Sequence, residues 1–146
     1  MSRALAVHGK HTERAHVWEW PVRVYWEDTD AGGIVYYANY LKFFERSRTE
    51  WLRHLGLNQQ HLREETGGMF VVTHAAVDYA RPARLDDELV VSTQLQQLGR
   101  ASLHLQQTAT LGQLPLCKAL VVVGWVDAQS MRPARMPLQV LEALKA

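Results

Sequence analysis

Two aspartates, Asp28 and Asp30, stand in the stretch Glu27-Asp-Thr-Asp-Ala-Gly-Gly-Ile34, between a segment patterned as a strand and one patterned as a helix. A carboxylate at such a junction can act as a nucleophile or as a general base toward water. The helix expected to start near residues 34–37 leaves backbone N–H groups without intrahelical partners, and such groups stabilise negative charge developing on a carbonyl oxygen. Gly32 and Gly33 let the backbone approach a substrate closely and adopt positive φ. These are the parts of an acyl-transfer site that needs neither metal nor cofactor. The same Asp-Thr-Asp spacing also suits helix capping and turn formation, and taken alone it favours that reading.

The flanking elements must position this junction. Trp18, Trp20, Val22, Val24 and Trp26 alternate with polar neighbours such as Glu19, Arg23 and Glu27, a period of two that predicts a half-buried strand, with Pro21 marking an edge or a bend. Beyond the glycines the period changes. Tyr37, Tyr40, Leu41, Phe44, Arg48, Trp51, Leu52 and Leu55 recur at spacings of three and four, which predicts an amphipathic helix of four to five turns ended by Gly56. A short second helix is expected over residues 58–65, broken by Gly67 and Gly68.

Strands are expected over residues 70–79, 88–97, 101–110 and 116–126, the last apolar on both faces. Leu98-Gly99-Arg100 is a hairpin connection, and a closing helix covers residues 138–145. The order predicts an α+β domain in which a five-stranded antiparallel sheet, its last four strands in meander, wraps one long central helix. The doubly apolar strand points to an oligomer.

At 146 residues the chain is expected to form one domain over residues 15–146, behind a polar tail at 1–14. A formal net charge of +1 argues against a nucleic-acid binder that works by neutralising phosphates. The single cysteine, Cys117, allows no intrachain disulfide, the histidines lack metal-ligand spacing, and there is no Gly-rich phosphate loop. The apolar runs at residues 4–7 and 119–126 are too short for a signal-peptide core or a membrane helix, so a cytoplasmic protein is expected.

The stretch EDTDAGGIVYYANYLKFFERSRTEWL resembles the signature of the hotdog-fold thioesterases of the 4-hydroxybenzoyl-CoA thioesterase family, in particular its YbgC-like acyl-CoA branch. The resemblance covers about residues 16–140. It implies an acyl-CoA thioesterase that uses no cofactor or metal, with Asp30 as the catalytic carboxylate and the backbone N–H of Tyr37 polarising the thioester carbonyl. Gly32, Gly33, Ile34 and Val35 would line the substrate, and Arg100 and Arg132 would meet the phosphates of coenzyme A. Asp28 carries no family role and is expected to stabilise the turn.

The family places its pocket between two protomers, so the acyl group would meet residues 70–79 of a neighbour, in a dimer or a tetramer built from two dimers. Many YbgC-like members carry histidine where this chain has Tyr37, which weakens the substrate assignment but not the role of Asp30. Acyl carrier protein is an alternative carrier, and a thioester-binding module without turnover an alternative function. A hydratase of this fold would need an Asp–His pair, and no histidine lies between His16 and His54.

Overall fold

In a computed structural model, which describes residues 9–12 and 16–145, every strand of the sheet runs antiparallel to its neighbours. The chain forms β1 (Lys10–Thr12), β2 (Val17–Arg23), α1 (Tyr40–His54), α2 (Gln59–Thr66), β3 (Gly68–Tyr79), β4 (Glu88–Leu98), β5 (Ser102–Leu111), β6 (Leu114–Asp127) and α3 (Leu138–Lys145). The sheet order is β1-β2-β4-β5-β6-β3. This is the hotdog arrangement, a long helix held against one face of the sheet.

Most of the expected tail at residues 1–14 lies outside the described residues. The described part, β1, adds a three-residue edge strand to the five expected ones, with Lys10 within 3.7 Å of Glu19. Three polar residues carry no readable period. The pairs of β1 stop at Glu19, so among the described residues β2 has no outer partner where Pro21 occurs.

Three expectations are corrected. Trp26 does not continue the strand: the chain leaves the sheet at Arg23, residues 26–28 form a 3-10 turn, and Trp26 is 81% exposed. The α-helix starts at Tyr40, not at 34–37, because residues 37–39 form a separate 3-10 turn, and Tyr37 and Leu41 are exposed. The last four strands are not a simple meander. Only β4, β5 and β6 follow one another, while β3 crosses to the far side of β6 and becomes the sheet's other edge. That placement sets the doubly apolar β6 in the interior of the sheet, between β5 and β3.

The core lies between α1 and the inner sheet face. Phe43 and Phe44 are both fully buried, because a sheet that curves around a helix covers more of it than a narrow stripe. Against them pack Leu89 and Val91 of β4, Leu103 and Leu105 of β5, and Val121 and Val123 of β6. Each set sits at alternate positions of its strand, as the sequence period requires. On the outer face Leu120 is 52% exposed.

Candidate active site

The site is built on the short connection between β2 and α1. Thr29 and Val35 pair across it, and Ile34 pairs with Arg84, so residues 29–35 form a tight loop fastened to the segment before β4. Asp30 N–H donates to Ile34 O at 2.9 Å, and Gly33 N–H donates to Asp30 O at 3.0 Å. Gly33 has φ of +79°, a conformation that a side chain would strain. At Gly32 a Cβ would sit 3.3 Å from Asp30 Oδ1, so glycine leaves that carboxylate its room.

Asp30 is exposed. Its Oδ1 accepts the Gly32 N–H at 2.8 Å, an Asx turn, and its second oxygen has no partner among the described residues. Asp28 differs in every respect. It is 4% exposed, its Oδ2 takes the Tyr25 N–H and its Oδ1 takes Asn39 Nδ2, both at 2.8 Å. The expected turn-stabilising role of Asp28 is what the geometry shows. Asn39 is a residue the sequence reading missed; its side chain reaches back to Asp28 and so makes no cap for α1.

Tyr36 N–H donates to Asp28 O at 3.0 Å and starts the 3-10 turn. The next N–H groups, of Tyr37 and Ala38, meet no acceptor among the described residues, as the first donors of a helical turn must. Tyr37 O is held by the Tyr79 hydroxyl at 3.0 Å, which ties the start of the turn to the end of β3. Below it the Tyr40 hydroxyl accepts the Ala83 N–H at 3.0 Å. Burial pushes both the Tyr40 and Tyr79 phenols up, so each is neutral at ordinary pH.

Of the residues expected to line the substrate, Gly32 and Gly33 are exposed on the turn and Ile34 is half-buried. The Val35 side chain is in the core and its N–H already donates to Ala83 O at 2.9 Å. Arg100 and Arg132 lie elsewhere. Arg100 sits in the β4–β5 hairpin, at the far end of an eleven-residue strand whose near end adjoins the Asp30 turn, about 35 Å along the sheet. Arg132 follows β6 at that same far end, where Met136 N–H donates to Arg100 O at 2.8 Å. One protomer therefore gathers Asp30, the glycines and Tyr37, and keeps both arginines apart from them.

The turn presents a free carboxylate oxygen, and the 3-10 turn that follows it presents unspent N–H donors, the two kinds of group that attack on a carbonyl uses. Among the described residues no group of histidine, cysteine and acidic side chains could hold a metal ion. No described helix is long and apolar enough to cross a membrane.

Known proteins share this framework. The chain is 49% identical over 123 residues to the acyl-CoA thioesterase YbgC of Haemophilus influenzae, a match covering 84% of this chain and 90% of the relative. It is 42% identical over 130 residues to the acyl-CoA thioester hydrolase YbgC of Escherichia coli, covering 88% and 96%. The crystal structure of a probable thioesterase from Bartonella henselae superposes with a TM-score of 0.77 at 35% identity, covering 82% of this chain and 98% of that one. Residues 24–144, which hold the Asp30 turn, α1, α2, strands β3 to β6 and all but the last residue of α3, match the model of the thioesterase-like superfamily, and the chain belongs to that family.

Proposed function

We propose that the chain hydrolyses acyl-CoA thioesters, with Asp30 as the reacting carboxylate and the Tyr37 N–H polarising the thioester carbonyl. The observation that carries this reading is the Asp30 turn itself: one carboxylate oxygen fixed by Gly32, the other free, and unspent backbone donors at the next helical turn. The free oxygen either attacks the carbonyl carbon or takes a proton from the water that does. Negative charge then collects on the carbonyl oxygen, where a backbone N–H stabilises it more than it stabilises the ground state. The coenzyme A thiolate leaves; where Asp30 itself attacked, water then cleaves the Asp30–acyl anhydride, and on either route the acid is released and the carboxylate restored. The names of the YbgC relatives support the substrate class.

The active unit in this reading is a dimer or a dimer of dimers. Among the described residues the twelve-residue strand β3 is an open edge, and two copies pairing there about a two-fold axis run antiparallel. Pairing of this kind brings the partner's β3 start beside this chain's Tyr79. Ala128 N–H donates to Gly67 O at 2.8 Å, so the loop carrying Arg132 is fastened to that β3 start. The arginines absent from the Asp30 turn within one protomer are thus supplied across the interface, where coenzyme A phosphates can meet them.

The test is thiol release by the purified protein over short, long and aromatic acyl-CoAs, with Asp30→Asn in parallel. Turnover that the folded variant loses supports the reading. Absence of turnover on every thioester rejects it.

A further inference from the structure

Midway along α1 the fold buries polar groups that chemistry at Asp30 does not use. Ser47, Thr93 and Gln107 are all fully buried. Ser47 Oγ donates to Val91 O at 3.0 Å, so the 2.8 Å contact between the two hydroxyls is Thr93 donating to Ser47. Gln107 spends its amide protons on Phe44 O at 2.9 Å and Thr93 Oγ1 at 2.8 Å. Its carbonyl oxygen accepts from Arg48 Nη1 at 3.0 Å. Every hydrogen bond in the set points one way, and the set ends on a guanidinium.

Arg48 spends one of its five N–H donors there. No described carboxylate lies within ion-pair range of it, although Arg53, on the same helix, is 2.7 Å from Glu50. Burial pulls its pKa down, and the Glu45 carboxylate, exposed one turn earlier, acts the other way and favours the charge. Arg48 borders a cavity of about 150 Å³ between α1 and the sheet, with Phe70, Val72, Leu105 and Val123 on the sheet side and the polar Glu45, Thr49 and Gln59 on the helix side. An apolar cavity of about that volume takes a molecule the size of benzene, so it suits a short chain. A fixed cation with unspent donors at the wall of a small cavity whose sheet side is apolar is the layout of a site for a chain with a charged end.

We propose that this cavity is the acyl pocket and that Arg48 selects acyl groups ending in a carboxylate, that is, short dicarboxylic acids bound as their monothioesters. The proposal rests on the thioesterase reading, with the acyl site shared between protomers. The cavity meets β3 at Phe70–Val72, the part of the edge that antiparallel pairing sets beside the partner's reaction turn. The apolar walls take the methylenes, and the guanidinium takes the far carboxylate in a bidentate pair. Gln107 is a positioning residue, since it holds Nη1 and thereby orients the fork.

The experiment compares two probes with the same five-carbon skeleton, glutaryl-CoA and pentanoyl-CoA, and the free acids glutarate and pentanoate. It uses the full chain as wild type, Arg48→Met and Arg48→Lys, each checked for native circular dichroism. Wild type is expected to favour glutaryl-CoA in kcat/KM by tenfold or more, and glutarate, not pentanoate, is expected to raise its melting temperature. Arg48→Met should lose at least tenfold on glutaryl-CoA, stay within threefold on pentanoyl-CoA and show no glutarate shift, and Arg48→Lys should fall between.

Indifference of wild type to glutarate overturns the proposal, as does a parallel fall on both thioesters in a folded variant, which would make Arg48 structural only. Glutarate binding through Arg48 without release of thiol from any thioester sinks the thioesterase reading and leaves the carboxylate site standing. Turnover of pentanoyl-CoA with no response to glutarate does the reverse.

Discussion

The Asp30 turn and the polar set at the middle of α1 are opposite solutions to holding a charged group. At the turn, hydrogen bonds to Asp30 reach no further than Ile34, and the carboxylate is exposed. At the middle of the helix, the bonds reach from 14 to 63 positions along the chain and Gln107 has no exposure. A group that must meet water and a reacting carbon is positioned by its own loop, where loss of its chemistry costs little stability. A group that only recognises is positioned by the whole fold. Asp28 lies between these cases: two residues from Asp30, yet buried and bonded to Asn39 across eleven residues.

The sharpest way to break the comparison is Asp30→Asn. Its loss is expected to be about 10³-fold in kcat/KM, within the range an acid–base group contributes. Stability should change little, because the asparagine oxygen can still accept the Gly32 N–H. A variant that retains activity, or one that unfolds, would mean that the turn is structural.

Next in size is Tyr37→Pro. Proline removes the N–H proposed to polarise the carbonyl, and the site tolerates it locally: Tyr37 opens a 3-10 turn and Tyr36 already has φ −60° and ψ 130°, as a residue before proline prefers. About 10²-fold is expected to go from kcat, the size of one lost oxyanion donor, whereas Tyr37→Phe, which keeps the N–H, should stay within a few-fold. Equal losses in the two variants would shift the role from the backbone to the phenol.

Asp28→Ala should invert the pattern seen at Asp30. It strands the buried Asn39 amide and the Tyr25 N–H, at a cost of about 2–3 kcal/mol, read as a lower midpoint in urea with an unchanged slope. A loss below about 0.5 kcal/mol would show that water replaces the carboxylate and that Asp28 is no anchor.

These contrasts were unevenly legible in the sequence. The Asp30 turn was readable because its glycines and aspartates act locally, and α3 and most of the sheet were readable because alternation is a local property too. What sequence period cannot carry is which strand lies beside which, hence the misplaced β3. It also blurred the start of α1, since Tyr37 keeps the helical spacing while standing in a 3-10 turn. The interior polar set left a trace: Leu103, Leu105 and Ala109 mark the inner face of β5, and Gln107 is the polar residue at the one position between them where an apolar one was due. Arg48 likewise interrupts the apolar stripe of α1. Partners so distant in sequence leave gaps in a period and no motif.

The last effect, absent at neutral pH, concerns Cys117, packed on the inner face opposite Tyr79. Burial, and secondarily the Asp78 carboxylate, push its thiol up to about 12. Unfolded, the same thiol titrates near its ordinary value of about 8.5. Below that value both states hold the proton and the contribution to stability is complete. Between there and about pH 12 only the folded state keeps it, so stability should fall by about 1.4 kcal/mol per pH unit from this group. The raised Tyr40 phenol adds a decline of the same sign at higher pH. Urea unfolding at pH 8, 9.5 and 10.5 should therefore show a steeper loss for wild type than for Cys117→Ala, whose lost side chain costs the same at every pH. Identical slopes would show that the thiol gains water in the folded protein. The wall beneath Tyr79 would then be looser than the interior polar set, and the contrast between a locally held turn and a globally held interior would fail at the place where the two regions meet.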